Sequence, residues 1–515
     1  MLALSAGSDN SARLVRIRGS GLAPSSTDPA AAYGGSTTPP MTAPMTRVWG
    51  RALGALLCVP LAAAQTPPHL DGLIEADPAA GLLRGEVCLS RLPPQQTYAF
   101  LLNRGLNIRE VRDTASGRNL GFRGSYDATG VGDATRYSVA DNVGGEGFCV
   151  RYVGAYPVYD VDAGERSVAD WKGQVAFDGR TVRATEQARF YPVVEDSTSG
   201  APLDAVTYRL NVSCSGCASI YVNGSAPTVG PRAAFASDLP RPLLLYAGDF
   251  PFKTVGSVHF VGAEVSEGDA ALVRAGMRTL GEAHEAYLDV PYQDEPAFLT
   301  FASVSRDGEI GRNSWAFVTW PTVAMDGRTP FSVLVDSTGG DRAFSPMVMD
   351  WMSHEMAHYY FGTRYSPRGP LKWLLLESTA EFMSLKALRA VRGAQTYGAA
   401  LREHYRDAVA GGPVVPLDSL RDVDQIGNSY RYRLGPLLLV ALEDYVGNDV
   451  VRRALAALVT DPPTAEVDYA ELRERLTAAG AADTALDKFG TECLVRQVEE
   501  GCLASRYGEP ATDLD

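Results

Sequence analysis

The stretch MVMDWMSHEMAHYYFG, residues 347–362, places His354, Glu355 and His358 inside a strongly apolar run. A carboxylate or imidazole taken out of water is costly unless it is paired, hydrogen-bonded or bound to a metal. On a helix, residues four apart lie on one face, one turn above the other. His354 and His358 would then point the same way, as two ligands of one metal ion must. Neutral imidazole suits Zn2+, and the intervening Glu355 can reach a water on the metal without ligating it. The chain has only six histidines, so finding two of them here by coincidence is improbable.

A catalytic metal site needs a third protein ligand and one open position. Eighteen residues separate His358 from Glu377, which sits in the apolar segment KWLLLESTAEF. A Glu in that setting is costly unless a cation neutralises it. Glu381 lies four residues further on and shares its face. It can accept the second ring N–H of a zinc histidine, as carboxylates behind metal ligands commonly do, or it can be a solvated helix charge.

These residues resemble the zinc gluzincins of the membrane alanyl aminopeptidase and leukotriene hydrolase type, whose pattern is HExxH, eighteen residues, then Glu in a W-L-N-E-G-F-A-like segment. The chain has Phe361-Gly362 after the histidines and Trp373 to Phe382 around the third candidate ligand. YAGDFPF is similar to the family's V-G-D-F, and AHEAYLDVPY to its helix-to-strand junction. SYRYRLGPLLLVALEDYVG is similar to the Y-x-K-G segment and its helix, with Tyr432 and Gly435 in the matching positions. The likeness is specific over about residues 245–450 and weak before that.

The resemblance implies one Zn2+ per chain, Glu355 as general base, and Tyr432 as a donor to the tetrahedral oxyanion. Tyr430, two residues away, is a rival for the latter role. It also implies a departure. The family's substrate strand reads G-A-M-E-N-W, with its Glu holding the free α-amine of the substrate. Aligned on Trp315, this chain has Asn313 at that position, after Arg312. An amide cannot supply the charge-assisted bond to an ammonium, so aminopeptidase specificity is in question while the catalytic machinery is present.

Residues 45–64, MTRVWGRALGALLCVPLAAA, have a basic flank, a short apolar run and an A-x-A ending, the form of a signal peptide. The run is too short for a membrane span. Residues 1–44 are rich in Ser, Gly, Ala and Pro, and read as a disordered leader or a mis-assigned start. Cleavage near Ala64 would remove Cys58, one of seven cysteines, and leave six in an oxidising compartment. Proximity suggests Cys88 with Cys149, Cys214 with Cys217, and Cys493 with Cys502, out of 15 connectivities. Cys214-Ser-Gly-Cys217 also has redox spacing, but it sits in a strand-like stretch rather than at a helix start.

Residues 65–250 are dense in short β-branched and aromatic runs between turn residues, which predicts an all-β sandwich or saddle. Residues 251–440 begin with the helical spacing of SEGDAALVRAGMRTLGEAHEAYLD, continue with two strands, and then turn mainly helical. Residues 441–515 read as a helical end. The expected fold class is therefore multidomain α+β: an N-terminal β domain followed by a thermolysin-like, mainly helical zinc peptidase domain. The net charge of -14 becomes -17 once residues 1–64, with five arginines and two aspartates, are removed. Such a surface argues against a nucleic-acid partner. The expected partner is a peptide or protein substrate, and the expected activity an exported, aminopeptidase-like zinc metallopeptidase. The alternatives are an endopeptidase of the same fold and a non-catalytic binding module on this scaffold.

Overall fold

The structure, a computed structural model, describes residues 67–508 apart from short internal stretches, among them 126–132, 140–146, 160–169 and 305–314. The signal peptide and leader expected at 1–64 lie outside the described residues, as do Arg312 and Asn313.

Alternation builds the N-terminal half. In the strand Leu82–Ser90, Leu83, Val87 and Leu89 point inward while Arg84 and Glu86 point to solvent, the period of a sheet with one wet face. This strand belongs to a six-stranded sheet ordered Arg232–Arg241, Val206–Cys214, His69–Asp77, Leu82–Ser90, Gly147–Ala155, Leu106–Asp113. Its inner face shares a core with a four-stranded sheet around Tyr98–Asn103 and a five-stranded sheet around Leu244–Gly248. Leu70, Val87, Phe100, Phe148, Val182 and Tyr208 are all fully buried there. The first half is all β.

A second five-stranded sheet follows, ordered Phe252–Val255, Val258–Val261, Ala297–Phe301, Thr322–Asp326, Ala316–Thr319. Its middle strands are buried on both faces. Val261, Leu299 and Ala324 pack toward Tyr221, Leu244 and Tyr246 of the preceding sheet. Phe260, Phe298 and Val323, on the opposite face, join the helical core. A polar bond spans the first of these contacts: Asn223, fully buried, donates to Trp320 O at 2.8 Å and accepts from Thr322 Oγ1 at 2.6 Å.

The remainder is helical. Helix α1 (Glu267–Leu288) starts at Ser266, whose side chain accepts the Asp269 N–H, and buries Val273, Met277 and Leu280 under the sheet. Helix α2 (Pro346–Ala357) begins with proline, which is preorganised for a first turn. Helix α3 (Thr379–Ala410) is two arms broken at Gly393, whose φ of 84° and ψ of 175° are not helical. Helix α4 (Gly435–Val446) is buried from Gly435 to Leu442, and four further helices from Asn448 to Tyr507 complete the helical region. Two π-helical turns, Leu374–Ser378 and Tyr430–Leu434, lead into α3 and α4.

Three disulfides are present. Cys88 and Cys149 are register partners on neighbouring strands, Cys214 and Cys217 close a turn, and Cys493 and Cys502 join the last two helices. They are the same pairs that proximity in the sequence suggests. The Cys214-Ser-Gly-Cys217 turn follows the strand Val206–Cys214 and leads into Ser219–Val222, with both sulfur-bearing residues buried. Among the described residues no helix is long and apolar enough to cross a membrane.

The break in α3 makes an opposite-sign prediction for two glycines five residues apart. Gly393 has a positive φ, where a Cβ is strained although space is open around it, so Gly393→Ala should cost about 1–2 kcal/mol. Gly398 is helical, and its Cβ would meet only Arg402 at an ordinary 3.6 Å, so Gly398→Ala should gain up to about 1 kcal/mol. Urea denaturation of the two variants checks both signs.

Candidate active site

Helix α2 ends at Ala357, and His358 caps it while keeping right-handed helical dihedrals. His354 and Glu355 are 4% and 3% exposed. The two imidazoles stack edge-on with centroids 4.9 Å apart. Glu377 arrives from the π turn before α3. Its Oε2 lies 3.4 Å from His354 Nε2 and 3.6 Å from His358 Nε2. Zn–N and Zn–O bonds of about 2.0–2.2 Å in a tetrahedron put ligand atoms roughly 3.3–3.6 Å apart, so these separations match one shared ion.

The opposite ring nitrogens are already engaged. His354 Nδ1 donates to Glu381 Oε2 at 2.8 Å, and His358 Nδ1 donates to Phe361 O at 2.9 Å. Both Nε2 lone pairs therefore face Glu377. His354 Nε2 is buried with no hydrogen-bond partner, an orphan that a cation would satisfy. Among the described residues, His354, His358 and Glu377 are the one group of three whose donor atoms could hold a metal, all within 4.8 Å of one another. The donor set fits Zn2+.

Charge follows the same geometry. Burial alone would raise Glu377, but the His358 charge and the closeness of both imidazoles hold it well below the usual carboxylate range. Glu381 is held low in the same way by His354 and His404. Burial would lower His354, yet the adjoining Glu377 and Glu381 carboxylates push it up to about 10. The two carboxylates thus favour a positive charge at this point, as a metal cation would supply. Glu355 behaves differently: burial raises its pKa and the two histidines only partly oppose this.

Tight packing positions the two π turns, a rare helix form that is frequently found at functional sites. Ser378 Oγ donates to Arg431 O at 2.7 Å, tying one turn to the other. A Cβ on Gly435 would lie 2.0 Å from that same hydroxyl oxygen, so only glycine allows this approach. The Arg431 guanidinium stacks 3.8 Å above the Trp373 ring. Tyr432 is thereby carried to the metal-ligand cluster, its ring 5.8 Å from His354 and its hydroxyl bonded to Glu377. Burial and the Glu377 and Glu355 charges raise its pKa, so the phenol keeps its proton. Tyr430 lies elsewhere, packed among Leu417, Leu434, Leu438 and Leu494.

Two histidines absent from the sequence reading contribute. His284 of α1 is fully buried, with Nε2 2.9 Å from Ser353 Oγ and Nδ1 2.8 Å from the Tyr292 hydroxyl, which donates to Met356 O. It braces α2 from behind. His404 Nε2 lies 3.0 Å from Glu381 Oε1. His404 sits on a buried stripe with Tyr397, Leu401, Tyr405 and Ala408. A polar residue on such a stripe is a signal, but its partner depends on how the arms of α3 fold. Asn313 lies outside the described residues. Trp315, used to align it, is buried between Phe301 and Phe317.

No family model matches the sequence, and no curated protein matches it. Solved structures do. Native yeast LTA4 hydrolase superposes with a TM-score of 0.55 at 12% identity, over 82% of this chain and 66% of that one. A mutant of the M1 zinc metallopeptidase from Deinococcus radiodurans bound to a Tyr-Ser-Ala substrate superposes with a TM-score of 0.56 at 18% identity, over 83% and 93%. A two-domain M1 zinc metallopeptidase bound to L-arginine gives 0.54 at 17% identity, over 82% and 93%. The chain thus has the fold of the M1 zinc metallopeptidases. It spans just under two thirds of the length of the yeast hydrolase.

His284 gives a pH signature. Burial and the His354 charge lower its pKa to about 3, below the ordinary unfolded value of about 6.5. The unfolded chain therefore takes up a proton first as pH falls, and stability is lost from about pH 6.5 downward. Relative to His284→Gln, the wild type should lose on the order of 1–2 kcal/mol between about pH 7.5 and about pH 5, read by denaturant unfolding at each pH. Gly435→Ala should cost about 1–3 kcal/mol through overpacking, seen as a lowered Tm.

Proposed function

We propose that this protein is an exported, zinc-dependent metallopeptidase. The observation that carries the reading is the buried, unpartnered His354 Nε2, which faces the Glu377 carboxylate beside His358 at separations suited to one ion. His354, His358 and Glu377 would hold one Zn2+ per chain. When bound, such an ion activates water and polarises a carbonyl near neutral pH.

The remaining steps fall to side chains. Glu355 is next to His354 and buried, but it is not in the ligand cluster. That placement suits a general base that takes the proton of the attacking water and returns it to the leaving amine. The Tyr432 phenol, held protonated, would donate to the oxygen that becomes negative in the tetrahedral intermediate. Glu381 fixes the His354 tautomer, so that Nε2 carries the lone pair. Phe361 O does the same for His358.

Peptides are the proposed substrates, in line with the Tyr-Ser-Ala substrate of the Deinococcus radiodurans structure. Aminopeptidase-like action is the parent reading. Asn313, where the family has an amine-binding Glu, favours endopeptidase or relaxed action as the alternative. The proposed organisation is a β domain over 65–250, a catalytic domain over 251–440 and a helical completion over 441–515, behind a signal peptide at 45–64. The six disulfide-bonded cysteines suit an oxidising compartment.

Metal analysis, variants and substrate panels test this. Purified protein should contain about one zinc per chain by metal analysis, and chelation should abolish peptide hydrolysis. Glu355→Gln should keep its zinc while kcat falls by about 10^2–10^4-fold. Tyr432→Phe should lower kcat by about 10^2–10^3-fold, whereas Tyr430→Phe should leave it close to wild type. Free-amine against N-acetylated peptides separates the two readings: a strong preference for the free amine supports aminopeptidase action, and similar kcat/KM supports the endopeptidase alternative. Zinc binding without turnover on a broad peptide library would instead support a binding module.

A further inference from the structure

We infer that His404 is a positioning residue for the metal site, acting through Glu381 to hold His354 in ligating geometry. The inference rests on the zinc-site reading above. Its ground is one buried chain of contacts. His404 Nδ1 lies 2.9 Å from Ala400 O, which fixes the ring against its own helix turn. His404 Nε2 lies 3.0 Å from Glu381 Oε1, and Glu381 Oε2 accepts from His354 Nδ1 at 2.8 Å. Glu381 is thus held at both oxygens, one by each histidine.

This matters because Glu381 is mostly buried, with a side chain 17% exposed, and His404 is 6% exposed. An ionised carboxylate there without a second donor would be under-satisfied. It would have reason to turn, drawing the His354 ring with it. Of the other charged groups nearby, Asp350 interacts with both members of the pair, and Arg392 and Glu403 interact with Asp350. None of these is hydrogen-bonded to Glu381 among the bonds described, so His404 is the group that fixes Oε1. The break at Gly393 makes this possible. A continuous helix would carry residue 404 more than 30 Å from residue 381, at about 1.5 Å per residue. Bent at Gly393, the second arm of α3 returns His404 to the first.

The test uses the full mature chain and two near-isosteric variants. His404→Gln keeps a donor for Oε1, and His404→Leu keeps volume without one. Zinc is removed and its Kd measured by chelator competition, alongside far-UV circular dichroism and the Tm of the zinc-free proteins. His404→Leu should weaken zinc binding by about 10-fold or more, while His404→Gln stays close to wild type and both fold alike. Equal loss in the two variants would mean a packing role only and overturn the inference, as would no loss in either. Should His404→Leu fail to fold, the 15N spectrum of histidine-labelled wild type decides, with only six histidines to assign. The His404 Nε2 resonance should report a hydrogen bond to the Glu381 carboxylate in the zinc-bound protein. An Nε2 without that bond would overturn the inference. If the wild type binds no zinc at all, the site reading fails first, and the inference with it.

Discussion

Three carboxylates, Glu355 and Glu377 buried and Glu381 mostly so, are gathered around two imidazoles, and the rest of the molecule is arranged to make that tolerable. Left alone, each would be driven to take up a proton. Two are instead held ionised by the histidines beside them, while Glu355, with fewer donors, is pushed the other way. Groups of one kind held at different protonation tendencies by their surroundings are what acid–base chemistry at neutral pH requires.

The scaffold meets this demand by rigidity around the cluster. The second five-stranded sheet is buried on both faces, so the helical region has a fixed floor. α2 is held from behind by His284, bonded to its Ser353, and by Tyr292, while Ser378 ties the two π turns to each other. The Ser378–Gly435 approach leaves no room for an extra methyl group, which makes the relative placement of Glu377 and Tyr432 a matter of steric fit. Close-packed interiors transmit such constraints because they have little slack.

Some of the site was legible in the chain. His354, Glu355 and His358 are local on one helix, and periodicity alone puts them together. Glu377 and Glu381 were marked by polar residues interrupting an apolar segment, and a four-residue spacing placed them on one face. Tyr432 and Tyr430 were not separable by such reasoning, since residues two apart on an ordinary helix point apart but either can face a site. The π turn and its clamp to Ser378 separate them. His404 was invisible as a partner of Glu381 because their contact depends on a helix break, and the sequence marks Gly393 as a weak helical position without saying which way the second arm will turn.

By itself, the sequence determined the β-then-helical order, the local ligand geometry and the neighbouring cysteine pairs. Each of these depends on period, spacing or proximity along the chain. Only the tertiary structure decided which tyrosine meets the histidines, which nitrogen of each histidine is left facing Glu377, and that the aromatic and polar packing behind α2 includes His284. Those outcomes turn on contacts between segments tens of residues apart. Such contacts are chosen by how whole faces pack, which no short window of sequence encodes.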